Sequence, residues 1–387
     1  MGRFLFIGLD TGGTWKPTLG LAAMLVRRGH WVTVLGSPSM RATTVGAGCS
    51  FLALPVELDE QPGTALEDDH FQSWFEKVCG WTVAAAISPA VEASSADALV
   101  IDFLQFNALS AAELIDRPVA SVVHFGMTDW GEGEGWEDQV DLLNATRARL
   151  GIDALPRVGG MAALWSRPDV ALSLLPAQWT PKPVPGNVIT VGPIAPAPRA
   201  DLAHPLPWPD DDPRPLVVVS MSSTYMHHEQ LLGRVATAVA AEPVRVLLSL
   251  AGALLPDQVG VPESVVVRSW LDFDEVLPRT QLLVTHGGMA TTTAALSHGV
   301  PMLVIPQSRD QHLNAKRVLD GGFGLVRSPE SLDGEIQAAV RSLLADDSYR
   351  RAAERFGTTL RRLGSGRLAV ERLEQLLAAR IPAQNPP

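Results

Sequence analysis

Short, wholly apolar runs alternate along the chain with stretches whose apolar positions recur every three or four residues. Phe4-Leu5-Phe6-Ile7 is apolar at every position, as expected of a parallel strand covered on both faces. Residues 9–17 hold Gly12, Gly13 and Pro17 and read as a loop. Residues 19–28 place Leu21, Met24 and Leu25 at helical spacing and stop at Gly29, a C-terminal stop signal. Trp31-Val32-Thr33-Val34-Leu35 is the next strand, and 98–101 and 119–123 follow as strand-like runs ending in polar residues. The segment 181–215 carries many prolines and the run Asp210-Asp211-Asp212, and reads as an interdomain linker. The pattern then restarts, with strands expected at 216–219, 244–250, 265–267, 282–284 and 302–305. Ser328 has the look of an N-cap with Pro329 at the first helical position, and Leu332, Ile336, Val340 and Leu343 form one apolar stripe. A last helix is expected over 368–380.

Strands alternating with helices predict doubly wound parallel sheets. The 387 residues exceed what one core usually supports, so two such domains are expected. The expected division is 1–200, a linker at 201–215, a second domain at 216–355, and helices at 356–387 that cross back to the first domain. Ligands of such sheets bind at the strand C-termini, so a cleft between two facing Rossmann-like halves is expected. Composition changes this picture little: 46% hydrophobic and 19% charged residues are globular values. A net charge of −11 argues against a nucleic-acid partner, which needs clustered Lys and Arg. The two cysteines, Cys49 and Cys79, offer neither a disulfide framework nor a thiolate metal cluster. The apolar run at the N-terminus is too short for a signal peptide, and no run approaches the roughly 20 residues that span a bilayer. A cytoplasmic protein without membrane contact is expected.

The richest chemistry lies in Thr285-His286-Gly287-Gly288-Met289-Ala290-Thr291-Thr292. The run follows a strand and opens a helix, where unpaired amides and partial positive charge suit phosphate oxygens. Gly287 and Gly288 admit close backbone approach, Thr291 and Thr292 offer hydroxyls, and His286 can donate to an oxygen of a departing diphosphate. Asp310 and Gln311, after the next strand, suit sugar hydroxyls.

The stretch HGGMATTTAALSHGVPMLVIPQSRDQHLNA resembles the donor-binding signature of the antibiotic and macrolide glycosyltransferases, relatives of the plant UDP-glycosyltransferases with the GT-B fold. VVVSMSST at 217–224, Arg268-Ser269-Trp270, the N-terminal strand-loop-helix and Asp97 with Asp102 extend the resemblance over nearly the whole chain. It implies that His286, Gly287, Gly288, Ala290 and Thr291 hold the diphosphate with Ser222, Ser223 and Thr224 nearby. It further implies that Trp270 stacks on the base and that Asp310 and Gln311 bind the sugar. Ala290 stands where the family usually has Gly. Ala294 replaces the ribose-binding Glu of the plant enzymes, which favours a deoxyribose donor. The implied reaction is inverting, metal-independent transfer of a sugar or deoxysugar from a dTDP- or UDP-sugar to an apolar natural-product aglycone. No cofactor is implied, and a homodimer stays open.

Such a displacement needs an activated nucleophile. The family places a His three residues before a proline in the first loop; here Thr14 precedes Pro17, and threonine is no base at neutral pH. Three substitutes present themselves. Asp102 matches the orienting Asp of the family, and His124 brings an imidazole, the side chain that changes charge nearest neutral pH. Asp10 follows the first strand and ranks third. Thr14, Trp15 and Trp130 are candidates for contact with the acceptor, and Gly131-Glu132-Gly133-Glu134-Gly135 for a cover over it. Two other readings compete. A catalytically silent auxiliary homologue would explain the missing His, and Gly8-Leu9-Asp10-Thr11-Gly12-Gly13-Thr14 resembles the phosphate loop of actin-like sugar kinases. Asp272-Phe273-Asp274 is a DxD, a metal motif of another glycosyltransferase fold, but an acidic helix start accounts for it.

Overall fold

The computed structural model of the chain describes residues 1–10, 13–55, 68–124, 136–179, 186–195, 206–209, 211–223, 226–308, 310–363 and 366–379. These divide into two compact units, one of residues up to 195 together with 363–379, the other of residues 206–362. The first carries β1 (Arg3–Ile7), β2 (Trp31–Gly36), β3 (Ser50–Ala53), β4 (Ala98–Asp102), β5 (Val119–Val123), β6 (Val170–Ser173) and β7 (Val188–Thr190). They form one parallel sheet in the order β3-β2-β1-β4-β5-β6-β7. The second carries β8 (Leu216–Ser220), β9 (Arg245–Ser249), β10 (Val265–Arg268), β11 (Leu282–Thr285), β12 (Met302–Val304) and β13 (Gly324–Val326). These too are parallel, in the order β10-β9-β8-β11-β12-β13. Each sheet reverses its winding once, between β1 and β4 and between β8 and β11. At such a point neighbouring connections leave in opposite directions and open a crevice at the strand C-termini.

The helices of the first unit, in chain order, are α1 (Trp15–Arg27), α2 (Arg41–Gly46), α3 (Asp68–Cys79), α4 (Trp81–Ser94), α5 (Phe106–Ala112), α6 (Glu137–Leu150) and α7 (Gly160–Trp165). The second unit follows with α8 (Glu229–Ala240), α9 (Phe273–Val276), α10 (Met289–Ser297), α11 (Gln311–Asp320), α12 (Asp333–Ala345) and α13 (Asp347–Arg362). The last helix, α14 (Arg367–Ala378), belongs to the first unit. Its Ala369, Val370 and Leu373 pack with Leu21 and Leu25 of α1 and with Phe4, Phe6, Val100 and Val122 of the sheet. Burying an aliphatic side chain of this size contributes about 1.5–3 kcal/mol, so Val370 and Leu373 alone hold α14 firmly. A parallel core in the second unit joins Val217, Val219, Val284 and Leu303 to Ile336, Val340 and Leu343 of α12.

Several expectations are corrected. The first helix begins at Trp15, inside the expected loop, because Pro17 lies in the first turn, where an N–H has no helical partner to lose. Residues 328–332 are not helical. Ser328 Oγ accepts the N–H of Glu330 at 3.2 Å and closes a turn, while the Glu335 carboxylate accepts the Leu332 N–H at 2.8 Å and starts α12 there. Leu332 is consequently exposed, and the apolar stripe begins at Ile336. The proline-rich segment contains β7, which pairs with β6 and buries Val191 beside it. The boundary drawn at 355/356 would cut α13, which lies wholly in the second unit.

Candidate functional site

The winding of the second sheet places two loops side by side, since Thr285 pairs with Ser220 at the ends of β11 and β8. One loop is His286-Gly287-Gly288. Gly287 sits at φ +89°, where an added Cβ would meet Val304 at 2.7 Å, and a Cβ at Gly288 would lie 2.6 Å from His286 Nε2. The imidazole therefore lies directly against the residue that caps α10, beside that helix's unpaired amides. Thr285 Oγ1 accepts the Gly287 N–H at 3.5 Å and lies 3.3 Å from His286 Nδ1, which holds the ring in place beside Gly288. His286 is 7% exposed. Ala290 is exposed and Thr291 half-buried in the first turn of α10. Thr292, expected to offer a hydroxyl, is fully buried instead, a correction that follows from its place on the inner face of α10.

The other loop follows β8, with Ser222 buried and Ser223 half-buried; Thr224 lies outside the described residues. A residue that sequence reasoning missed fastens the donor loop from below. Asn314 Nδ2 donates to the Gly287 carbonyl at 2.9 Å and to Asp310 Oδ2 at 2.7 Å, tying the two expected ligand-binding stretches together. Asn314 falls near the end of the signature run, four residues after Asp310, so helical spacing alone could have flagged it. Gln311 does not stand as expected. It is 2% exposed, its Oε1 accepts the N–H groups of Gln307 (2.8 Å) and Ser308 (3.2 Å), and Nε2 reaches Met226 Sδ at 3.6 Å. Its amide shapes the loop leading to Asp310, which is half-buried. Trp270 is half-buried just past β10, its ring beside Gly252. The DxD carboxylates are engaged locally. Asp272 accepts the Asp274 N–H at 2.9 Å and caps α9, and Asp274 pairs with His298 at 3.0 Å, which holds its carboxyl below the usual range.

His228, at the start of α8, is buried (1% exposed), and desolvation pushes its pKa down to about 4, the Glu229 carboxylate opposing this in part. The folded protein keeps this ring neutral while the unfolded chain protonates near 6.5. Stability is therefore full above pH 6.5 and lost as pH falls toward 4, by about 3 kcal/mol from this group. His228→Gln should flatten that part of the melting-temperature profile; an unchanged slope between pH 6.5 and 4 would refute the assignment.

The first unit builds a second cluster at its own winding reversal. Asp102 ends β4 and His124 follows β5, its neighbour in the sheet. His124 Nε2 lies 3.1 Å from Asp102 Oδ2 and 3.2 Å from Thr18 Oγ1 of α1. All three are buried, at 2% for Asp102, 6% for His124 and 0% for Thr18. Asp102 Oδ1 accepts the Leu104 N–H at 2.9 Å, which fixes the carboxylate, and the Phe103 ring stands 6.1 Å from the imidazole. Among the described residues nothing bonds to His124 Nδ1. The structure thus joins two of the three candidate bases, with Asp10 half-buried just beyond β1. Thr14, in the family's usual base position, is half-buried at the start of α1. Trp15 is corrected. It is 3% exposed and lies in α1, its ring so close over Gly8 that a Cβ there would meet it at 2.7 Å, so it supports the loop from within. Trp130 and the run 131–135 lie outside the described residues.

The fold of the two sheets is shared with known proteins. Residues 230–361 match the family of erythromycin biosynthesis protein CIII-like C-terminal domains. The demethyllactenocin mycarosyltransferase of Streptomyces fradiae is 28% identical, over 98% of this chain and 87% of its own. The calicheamicin glycosyltransferase CalG4 has the same fold, with a TM-score of 0.80 at 24% identity over 99% of this chain and 100% of that one. The glycosyltransferase VinC, solved in complex with dTDP, scores 0.73 at 21% identity over 97% and 100%. Fold and sequence define a glycosyltransferase of the GT-B fold. Within that class, residues 230–361 are similar to the antibiotic-biosynthesis type. Among the described residues no helix is long and apolar enough to cross a membrane.

Proposed function

We propose that the chain transfers a sugar or deoxysugar from a dTDP- or UDP-sugar to an apolar small-molecule aglycone, with inversion and without a metal or other cofactor. The observation that carries this is the donor loop, where the His286 imidazole lies with its Nε2 against the capping residue of α10. The diphosphate would take the amides at the start of α10 and a hydrogen bond from the His286 imidazole, with Ser222 and Ser223 adjoining. Trp270 would carry the base and Asp310 a sugar hydroxyl. Ala294 leaves no carboxylate for a ribose hydroxyl, which favours dTDP. In the displacement the acceptor O–H proton passes to His124 Nδ1 and the acceptor oxygen bonds to C1. The bond from C1 to the diphosphate oxygen breaks, its electron pair leaving with the diphosphate. Metal independence is supported by the DxD, whose carboxylates serve a helix cap and a histidine.

The silent-homologue reading rests on the missing His at position 14, and the assembled Asp102–His124 pair speaks against it. The kinase reading is opposed by α1, which follows the glycine loop where that motif needs a strand. A thermal-shift series in the presence of a chelator tests the donor. dTDP or UDP is expected to raise the melting temperature, and dTDP-sugar with an apolar aglycone to give glycoside. Stabilisation by ATP with none by dTDP or UDP would overturn the proposal.

A further inference from the structure

We propose that Thr18 is a positioning residue that, as second acceptor of the Nε2–H that Asp102 fixes, holds the His124 ring and favours its charged form during transfer, an inference that rests on His124 being the base. The contact is geometric: Thr18 Oγ1 lies 3.2 Å from the same Nε2 that lies 3.1 Å from Asp102 Oδ2. A carboxylate only accepts, so Nε2 carries the hydrogen and offers it to both oxygens. Thr18 then accepts from the ring, and its own proton goes to the Thr14 carbonyl at 3.4 Å. The directions form one consistent chain, from His124 to Thr18 to the first turn of α1, and leave the lone pair on Nδ1. The reverse arrangement would aim a bare Nε2 lone pair at a carboxylate.

This chain also favours the imidazolium that forms during transfer, because a hydroxyl oxygen accepts more strongly from a charged N–H than from a neutral one. Among the described residues, Asp102 is the ionisable group paired with the ring, and Phe103 and Thr18 also stand beside it. Thr18 is fully buried and packed within α1, so Thr18→Val keeps the shape and removes the acceptor.

The test is kcat against pH for Thr18→Val, Thr18→Ser and His124→Ala, with dTDP-sugar and a small phenolic acceptor. Thr18→Val is expected to lower kcat about tenfold, to leave both KM values within about twofold, and to move the acidic limb about one unit to lower pH. Thr18→Ser should restore the limb. A Thr18→Val profile that falls without moving, while His124→Ala is inactive, would overturn the role of Thr18 and leave the base assignment standing. Full activity in His124→Ala would remove the base assignment itself.

Discussion

Replacing His124 by alanine is expected to lower kcat by about 10²–10⁴, the usual contribution of a positioned general base, while donor KM stays near its original value. The expectation follows from the cluster at the end of β4 and β5, in which Asp102 and Thr18 hold one ring nitrogen and leave the other with its lone pair. Asp102→Asn should cost nearly as much without unfolding the protein. The asparagine oxygen can still take the Leu104 N–H, now given to Asp102 Oδ1 at 2.9 Å. Its NH2 group then faces Nε2 and, being a donor, selects the tautomer with hydrogen on Nδ1. The base is present with its proton on the wrong atom. A series of phenolic acceptors separates this from a packing defect. If His124 removes a proton in the transition state, the loss shrinks as the acceptor becomes more acidic. A loss equal for all acceptors would show that the ring serves only to hold the loop.

Much of this arrangement was legible in the sequence, and the part that was not has a common cause. β1, β5, β8 and β11 were read nearly to the residue because buried parallel strands are apolar on both faces. β3, half-exposed and at a sheet edge, went unread although Phe51-Leu52-Ala53-Leu54 is apolar throughout, and β7 is three residues among prolines. The donor loop was legible because its chemistry is contiguous: histidine, two glycines and a helix start stand in order along the chain. Asp102 and His124 each stood out as polar groups at strand ends. Their pairing depends on which strands are neighbours, which only the sheet order supplies. Thr18 carried no signal, since a threonine inside an apolar helix is ordinary. Trp15 was misread because a proline two residues later looked like a loop. Gln311 was misread because its partners are backbone N–H groups and a methionine 85 positions away.

Replacing His286 by alanine is expected to lower kcat/KM for the donor by about 10²–10³, the cost of losing one donor to a developing oxyanion. The charge that grows in this reaction is on the departing diphosphate, so an N–H held beside that position matters most in the transition state. The contacts of this imidazole support the proposed role. Thr285 Oγ1 fixes its Nδ1, Gly288 leaves no Cβ in its path, and Asn314 anchors the Gly287 carbonyl below it. His286→Gln is the informative partner, because its amide can donate from a similar distance but without a fixed orientation. It should recover part of the donor's kcat/KM, and product inhibition by the nucleoside diphosphate should follow the same order of wild type, Gln and Ala. Gly288→Ala offers an independent check, since its methyl group would displace the ring that it now lies against. If Gly288→Ala and His286→Ala are each impaired and the double variant is no worse than either, both act through the ring. If their effects multiply, the glycine acts through the backbone approach to phosphate, and the imidazole contributes on its own account.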